Sequence, residues 1–450
     1  MRVLLIGRWG KTHALAKALA RSKDIELYAI MDKKNNGIAD LAKHYELGDI
    51  KDIKVIEEFA GKHRIEMIVV VPAASLEKDI TTYFNKKGIP AVGPSQFCTK
   101  LEGDKGFLRN LMRENDIDAY PEFKVFFNPE KASQYIKHFP GEVVVKPAGI
   151  TEGDGVQVEG IQLKDKLEAV AYVKDIFDNA IGGLPSVIIE ERLIGEEYTI
   201  QFFCDGKTAV PMPATRDYKL LNEGESGLNT PGMGSYSGPV NMLPFLDQES
   251  FDESQKIIDD ILYAMVEKFN EPFKGFLSGQ YILTEDGVKL IEINVRPGDS
   301  EILNITPILK TDFLTICRAI HAGTLNELDI EYEKMATVCK YKVPRGFPLP
   351  KENVKITFDR KKIDHSDIHL FQSCFEVGKD LYEPSPRLFA ITGVGETLEE
   401  ANAQCEAGLS GIHGEGIFYR RDIGTAELTE GYKKYGRFRG EEEATAAGIA

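Results

Sequence analysis

The sequence predicts a multidomain protein of α/β and α+β class: a parallel α/β domain at the N-terminus, a larger mixed domain in the centre and a small strand-rich domain at the C-terminus. Three observations carry this. Strand-like and helix-like segments alternate from Arg2 to about Thr99, as in a small parallel sheet covered by helices on both faces. Between residues 100 and 325 a glycine loop and a β-hairpin interrupt that alternation. Strand patterns dominate residues 326–432, and residues 433–450 read as a polar, poorly ordered tail. With 450 residues, 42% hydrophobic and 28% charged, the chain is long enough for two to four soluble domains.

The first domain reads "RVLLIG" strand, "HALAKALARS" helix, "IELYAIMD" strand, "KVIEEFAGKH" helix, "IEMIVVVPA" strand and "LEKDITTYFNKKG" helix. Sheets of this kind bind ligands at the carboxyl ends of their strands, here the loops after Ile6, Met31 and Val71. In "GRWGKTHA" free backbone N–H groups at a helix start, with Lys11, suit an anion; an ordinary strand-to-helix turn explains the stretch equally well. It lacks G-x-G-x-x-G, so a dinucleotide site has little support even with Asp32 ending the second strand.

"LEGDKGFLRNLMRENDI" (Leu101 to Ile117) predicts one helix. "GEVVVKPAGITEGDGVQV" predicts a buried strand ending at Lys146, a loop with Gly149, Gly153 and Gly155, and a second strand. Such a loop can lay backbone donors over phosphates, although many glycine hairpins bind nothing. "SVIIEERLIGEEYTIQFFCDG" continues as strand, turn and strand with Glu190, Glu191, Glu196 and Glu197, most of which alone would be solvated surface. Ala214 to Pro239 is rich in Gly, Asn, Ser and Pro and predicts a long irregular loop, whose Arg216, Asp217 and Lys219 favour function. A helix, "FDESQKIIDDILYAMVEKFN", then leads into a β-hairpin turning at Asp286-Gly287.

The second hairpin strand, "IEINVRPGDSEI", sends Ile291, Ile293 and Val295 to one face and Glu292, Asn294 and Arg296 to the other. Pro297-Gly298 stops it, and Asp299 and Glu301 follow. Taken alone this fits a half-exposed edge strand better than a site. A three-residue loop, Glu285 to Gly287, would put Gln280 across from Glu292; a two-residue loop would not.

The net charge of −16 and the absence of a basic run argue against a nucleic-acid partner, while a small anionic substrate stays compatible. No apolar stretch reaches spanning length, so no membrane partner is expected. Six scattered cysteines without C-x-x-C predict free thiols in a reducing cytoplasm. The spacing of His365 and His369 reads as chance rather than a metal site.

In order, these segments resemble the glycinamide ribonucleotide synthetase (phosphoribosylamine–glycine ligase) family of the ATP-grasp superfamily over nearly the whole chain. "GLNTPGMGSYS" (Gly227 to Ser237) resembles its GPNTGGMGAYS, and "GFLSGQYIL...GVKLIEINVRPGDSE" its YxGxLYxGLM...GxKVLEFNxRFGDPE. "IHGEGIFYRRDIG" is similar to its IHFxGxFYRxDIG, and "GPSQFCTKLEGDKGFLRNLM" to its GPTxxAAxLEGSKxFxKxFM. The resemblance implies a central ATP-grasp fold and an ATP-dependent ligase working through an acyl phosphate. Its substrates would be an amino acid and a phosphorylated amine, bound by a monomer or homodimer. It further implies Mg2+, with Mn2+ as a substitute, on Glu292 and Asn294; few protein ligands at i and i+2, completed by phosphate and water, suit that ion. Lys105 and Lys146 would meet the ATP phosphates, and Glu190, Glu191 and Glu197 would form the adenine and ribose hinge. Arg296, Gly298 and Asp299 would line the acyl-phosphate site, and Asp217, Lys219 and Asn229 would close over it. Gly10, Lys11, Thr12, His13 and Asn35 would hold the amine and its phosphate.

The departures from the family pattern cluster. Its LAAGKGV reads "ITEGDGV" here, with Asp154. A carboxylate about 4 Å from a phosphate charge costs on the order of 4 kcal/mol at an effective dielectric of 20, so Asp154 is expected to point away, or the loop to grip ATP differently. Its GGREHA reads "WGKTHA", with Lys11 and Thr12 replacing Arg and Glu, and its GPEAPL reads "VPAASL", with Ala73 for Glu. Lys offers a point charge without the guanidinium fork. Two alternatives follow: a paralogous ligase joining glycine or another small amino acid to a different amine, and a non-catalytic ATP-binding protein.

Overall fold

Apolar runs of four to six residues build the first sheet. The computed structural model describes residues 1–149, 155–350, 352–384 and 387–431; Asp154 and the tail 433–450 lie outside the described residues. The first sheet is wholly parallel, in the order His44–Leu47, Glu26–Met31, Arg2–Ile6, Met67–Val70, Ala91–Val92. The three inner strands are almost continuously buried, as a sheet covered on both faces requires. The edge strand His44–Leu47 was not expected from sequence: "HYEL" is mostly exposed and carries no apolar run. The carboxyl ends of the strands at Ile6, Met31 and Val70 lead into loops whose Arg8, Trp9, Asp32 and Pro72 line a cleft.

The helix expected over residues 101–117 is two helices, Lys100–Gly103 and Lys105–Glu114. Asp104 between them is extended, and its carboxylate accepts from Phe107 N. It is a helix cap, and capping outweighs continuation after Gly103. The break puts Lys105 at a helix start.

Two four-stranded sheets make the centre. One is antiparallel, in the order Phe123–Phe126, Val187–Glu191, Val143–Pro147, Gln157–Val158. Helices Pro129–His138 and Lys166–Asp178 cover it over a separate small core that includes Phe126, Ile136, Val145, Val173 and Ile189. The other runs Ala209–Pro211, Glu196–Asp205, Lys274–Thr284, Gly287–Asn294. Its hairpin pairs Thr284 with Gly287, a two-residue connection. That alone would offset Glu292 from Gln280. A β-bulge corrects it: Tyr281 pairs with Leu290 and Gln280 with Glu292, so Ile291 is the extra residue. Ile291 therefore leaves the core face assigned by alternation and lines the cleft, while Ile293 and Val295 stay buried.

The segment Ala214 to Pro239 is not an irregular loop. It forms strands Arg216–Asn222 and Ser226–Ser237, with register shifts between Tyr218 and Leu220 and between Leu220 and Asn222. The buried, stacked rings of Tyr218 and Tyr236 supply the packing that Gly and Ser do not. At Gly234 a Cβ would stand 2.2 Å from Cys339 O, so only glycine lets the next strand approach. That strand, Ala336–Pro344, continues the sheet into Phe389–Gly395 and Ile368–Gln372. One sheet thus joins the central and C-terminal regions. All six cysteines are buried and free. Among the described residues no helix is long and apolar enough to cross a membrane.

Candidate functional site

A cleft of about 490 Å³ opens where the N-terminal loops, both central sheets and the C-terminal segment meet. Lys11, Lys105, Lys146, Glu190, Asp217, Lys219, Gln280, Glu292, Asn294, Arg296, Gly298 and Asp299 all line it, from seven stretches of chain.

Strand pairing sets the first cluster. Lys146, next to last in its strand, reaches Glu190 of the neighbouring one, with Nζ 2.5 Å from Oε2. Arg109 Nε donates to the other oxygen at 2.7 Å, and Arg109 Nη2 donates to Ile291 O, the carbonyl of the bulge. Burial alone would raise the Glu190 carboxyl, yet Arg109 and Lys146 bring it down to about 2. Lys105 Nζ donates to Gly149 O at 2.8 Å, the described edge of the glycine loop. Burial lowers the Lys105 ammonium, partly offset by Glu292.

The bulged strand sets the second. The Glu292 carboxylate has no hydrogen bond or ion pair among the described residues. Burial opposes its charge, but Lys219, Lys105, Lys146 and Arg296 hold the carboxyl below its ordinary value. Lys219 Nζ donates to Gln280 Oε1 at 2.7 Å and lies 3.8 Å from Asp217 Oδ2. Against the effect of burial, Asp217, Glu197, Glu292 and Glu301 raise it. An ionised carboxylate among cations yet bonded to none, with the Asn294 amide two residues on, is a donor set that fits a hard divalent cation.

The third cluster follows the strand end. Arg296 Nε donates to Glu102 Oε1 at 3.1 Å, and Glu102 Oε2 accepts from Val295 N at 2.9 Å. Gly298 N donates to Gln201 Oε1 at 2.7 Å. Asp299 accepts from Tyr341 Oη at 2.5 Å and Lys11 N at 3.0 Å, and pairs with Arg387 Nη2 at 3.1 Å. The Lys11 side chain is buried; burial and Arg296 lower its ammonium to about 7, against the pull of Asp299 and Glu102. Burial and the neighbouring Asp217 raise the Glu301 carboxyl to about 7.

Several expected site residues lie elsewhere. Glu191 takes the Glu122 N–H at 2.8 Å, Glu197 is exposed on its strand, and Asn229 pairs with Leu220 in the hairpin; none lines the cleft. Gly10 N donates to Ser373 Oγ at 3.4 Å, and Thr12 is buried. His13 Nδ1 accepts from Gln372 N at 2.9 Å, and burial with nearby Lys17 takes its ring down to about 3, so it is neutral. Asn35 caps Ile38 N and donates to Arg8 O and Gln372 O, so its amide joins the N- and C-terminal regions. Conversely, Arg109, Glu102, Glu301 and Arg387 line the cleft without having been singled out as site residues. Arg109 sits in an ordinary amphipathic helix, and Arg387 reaches Asp299 across 88 residues, so neither leaves a local signal.

Comparison with known proteins then places the chain. Residues 1–102, 103–302 and 337–426 match the N, ATP-grasp (A) and C domains of phosphoribosylglycinamide synthetase. A phosphoribosylamine–glycine ligase of Methanobrevibacter smithii is 42% identical over 430 residues, covering 95% of this chain and 97% of the relative. One from Methanopyrus kandleri is 40% identical over 449 residues, covering 98% and 100%. The crystal structure of phosphoribosylamine–glycine ligase from Thermotoga maritima superposes with a TM-score of 0.79 at 27% identity, covering 94% of this chain and 100% of that one.

Proposed function

The chain belongs to the phosphoribosylglycinamide synthetase family, and from that premise we propose how its cleft makes an amide bond. It is an ATP-dependent carboxylate–amine ligase of purine biosynthesis, joining phosphoribosylamine and glycine to glycinamide ribonucleotide with release of ADP and phosphate. The glycine carboxylate attacks the γ-phosphate of ATP, and the amine then attacks the acyl phosphate and expels phosphate. Neither step needs a protein nucleophile, so the residues position the reactants and neutralise charge.

Lys105 and Lys146 face the ATP phosphates, with Lys146 oriented by Glu190 and Glu190 by Arg109. Glu191 and Glu197, outside the cleft lining, would flank the adenine and ribose from its rim. Glu292 and Asn294 would hold Mg2+, or Mn2+ in its place, which supplies charge neutralisation to the phosphates. Arg296, Gly298 and Asp299 line the place where the glycine carboxylate becomes the acyl phosphate, with Asp299 fixed by Tyr341 and Arg387. Asp217 and Lys219 close over the phosphates, with Asn229 behind them in the same hairpin. Lys11, with Gly10, Thr12, His13 and Asn35 shaping its loops, presents charge to the phosphorylated amine. The observation that carries the reading is Glu292, ionised among four cations and bonded to none of them.

The test mixes purified protein with ATP, Mg2+, glycine and freshly generated phosphoribosylamine, following ADP and product mass. Glycinamide ribonucleotide is expected only in the complete mixture, and Glu292→Ala is expected to abolish both signals. Unchanged turnover in that variant would refute the metal assignment. ADP formation with other amines but not phosphoribosylamine would instead indicate a paralogous ligase, the direction in which Lys11, Thr12 and Ala73 point.

A further inference from the structure

Lys219 lies where its own strand is least regular. The ladder between Arg216–Asn222 and Ser226–Ser237 skips from Tyr218 to Leu220 and again to Asn222, so pairing alone does not fix the direction of the side chain between them. A residue 200 positions further along the chain supplies what the ladder omits. The Arg420 side chain, 1% exposed, donates from Nη1 to Leu220 O at 3.0 Å and to Glu225 Oε1 at 2.5 Å. Nε and Nη2 donate to the two oxygens of Asp422 at 2.9 and 2.6 Å. Asp422 Oδ2 also accepts from Gly224 N at 3.0 Å, and Arg421 N donates to Glu223 Oε1 at 3.0 Å. The guanidinium lies 5.1 Å from the ring centroid of Tyr218. Apart from the Arg420–Asp422 pair itself, each bond falls on the skipped step or on the hairpin turn beyond it. On the other side Thr230 Oγ1 donates to Lys219 O at 2.7 Å, and Lys219 Nζ reaches Gln280.

We propose that Arg420, oriented by Asp422, is a positioning residue for the ligation: it locks the irregular strand in the one phase that sends Asp217 and Lys219 into the cleft. Arg420 does not touch the reactants and acts through Lys219. A planar fork with fixed directions can hold a carbonyl and two carboxylates at once; an ammonium cannot.

The inference rests on the ligase reading, and the experiment separates the two. ADP and product formation are measured for the wild type, Arg420→Lys, Lys219→Met and the double variant, each with a thermal melt. Arg420→Lys is expected to melt like the wild type, to keep its KM for ATP and to lose kcat on the order of 10- to 100-fold, the scale of losing a group that orients a site residue. In the Lys219→Met background the same change is expected to cost nothing further. A wild-type kcat in Arg420→Lys, or a loss that multiplies fully onto Lys219→Met, overturns the proposal. Should Arg420→Lys fail to fold, Asp422→Asn is read by the same criteria. A wild type that forms no product overturns the ligase reading and this inference with it; an active wild type indifferent to Arg420→Lys overturns the inference alone.

Discussion

Glu190 has a cation on each oxygen, and its own charge holds Lys146 toward the cleft. Removing one member of a buried pair leaves the rest uncompensated, so Glu190→Gln is expected to destabilise the protein by about 3 to 5 kcal/mol in denaturant melts. A loss within experimental error would show that the pair is not buried in solution. Two titrations make stability depend on pH in different windows. His13 has its folded value at about 3, below the ordinary 6.5, so the unfolded chain binds the proton first and stability falls as pH drops from 6.5 toward 3. Glu190, at about 2 against an ordinary 4.5, contributes stability that is complete above 4.5 and is lost as pH falls toward 2. Melting temperature measured between pH 7 and 5 is therefore expected to decline less steeply in His13→Gln than in the wild type; parallel slopes would contradict it. Residue identity let the sequence nominate Lys146, Glu190 and Glu292. It could not show that Arg109, 81 residues from Glu190, completes the pair, because a salt bridge between distant elements has no local spacing.

At the scale of the element, two irregular ladders do what regular ones cannot. The bulge at Ile291 restores the pairing of Gln280 with Glu292 that a two-residue hairpin would lose, and frees a carbonyl for Arg109. Period-two alternation read the polar face correctly and misplaced Ile291, since one inserted residue lets neighbours share a face. The composition of Ala214 to Pro239 pointed to a loop because Gly, Ser, Asn and Pro have little strand preference. Its strands exist because Tyr218 and Tyr236 pack and Gly234 admits the next strand, both consequences of tertiary contact. Gly234→Ala would press a methyl against Cys339 O. A cost of about 1 to 3 kcal/mol or more is expected in thermal melts, and an unaffected melt would mean the two strands can separate.

Across the whole molecule, alternation of elements made the N-terminal sheet legible, and the co-linear order of segments made the family legible. What order could not reveal is that one sheet is shared between the central and C-terminal regions, with Gly234–Ser237 paired to Thr337–Lys340. A chain ending at residue 325 would leave that edge bare, and unpaired edges invite association. Such a truncation is expected to elute as aggregate in size-exclusion chromatography and to lack ligase activity; a monomeric, folded fragment would show the sheet to be dispensable.

The six cysteines carry a last consequence. Burial pushes the Cys98 thiol up to about 11 and Cys405 up to about 12, so a thiol reagent meets neither an accessible nor an ionised sulfur while the protein is closed. Cys98 sits where the N-terminal sheet gives way to the centre, Cys204 and Cys317 pack in the centre, and Cys339, Cys374 and Cys405 lie in the C-terminal region. The rate at which each sulfur is labelled therefore measures how often its own neighbourhood comes apart. The chain carries native chemical timers for its internal breathing in each region but the small sheet within residues 123–191, readable by mass spectrometry without altering a residue.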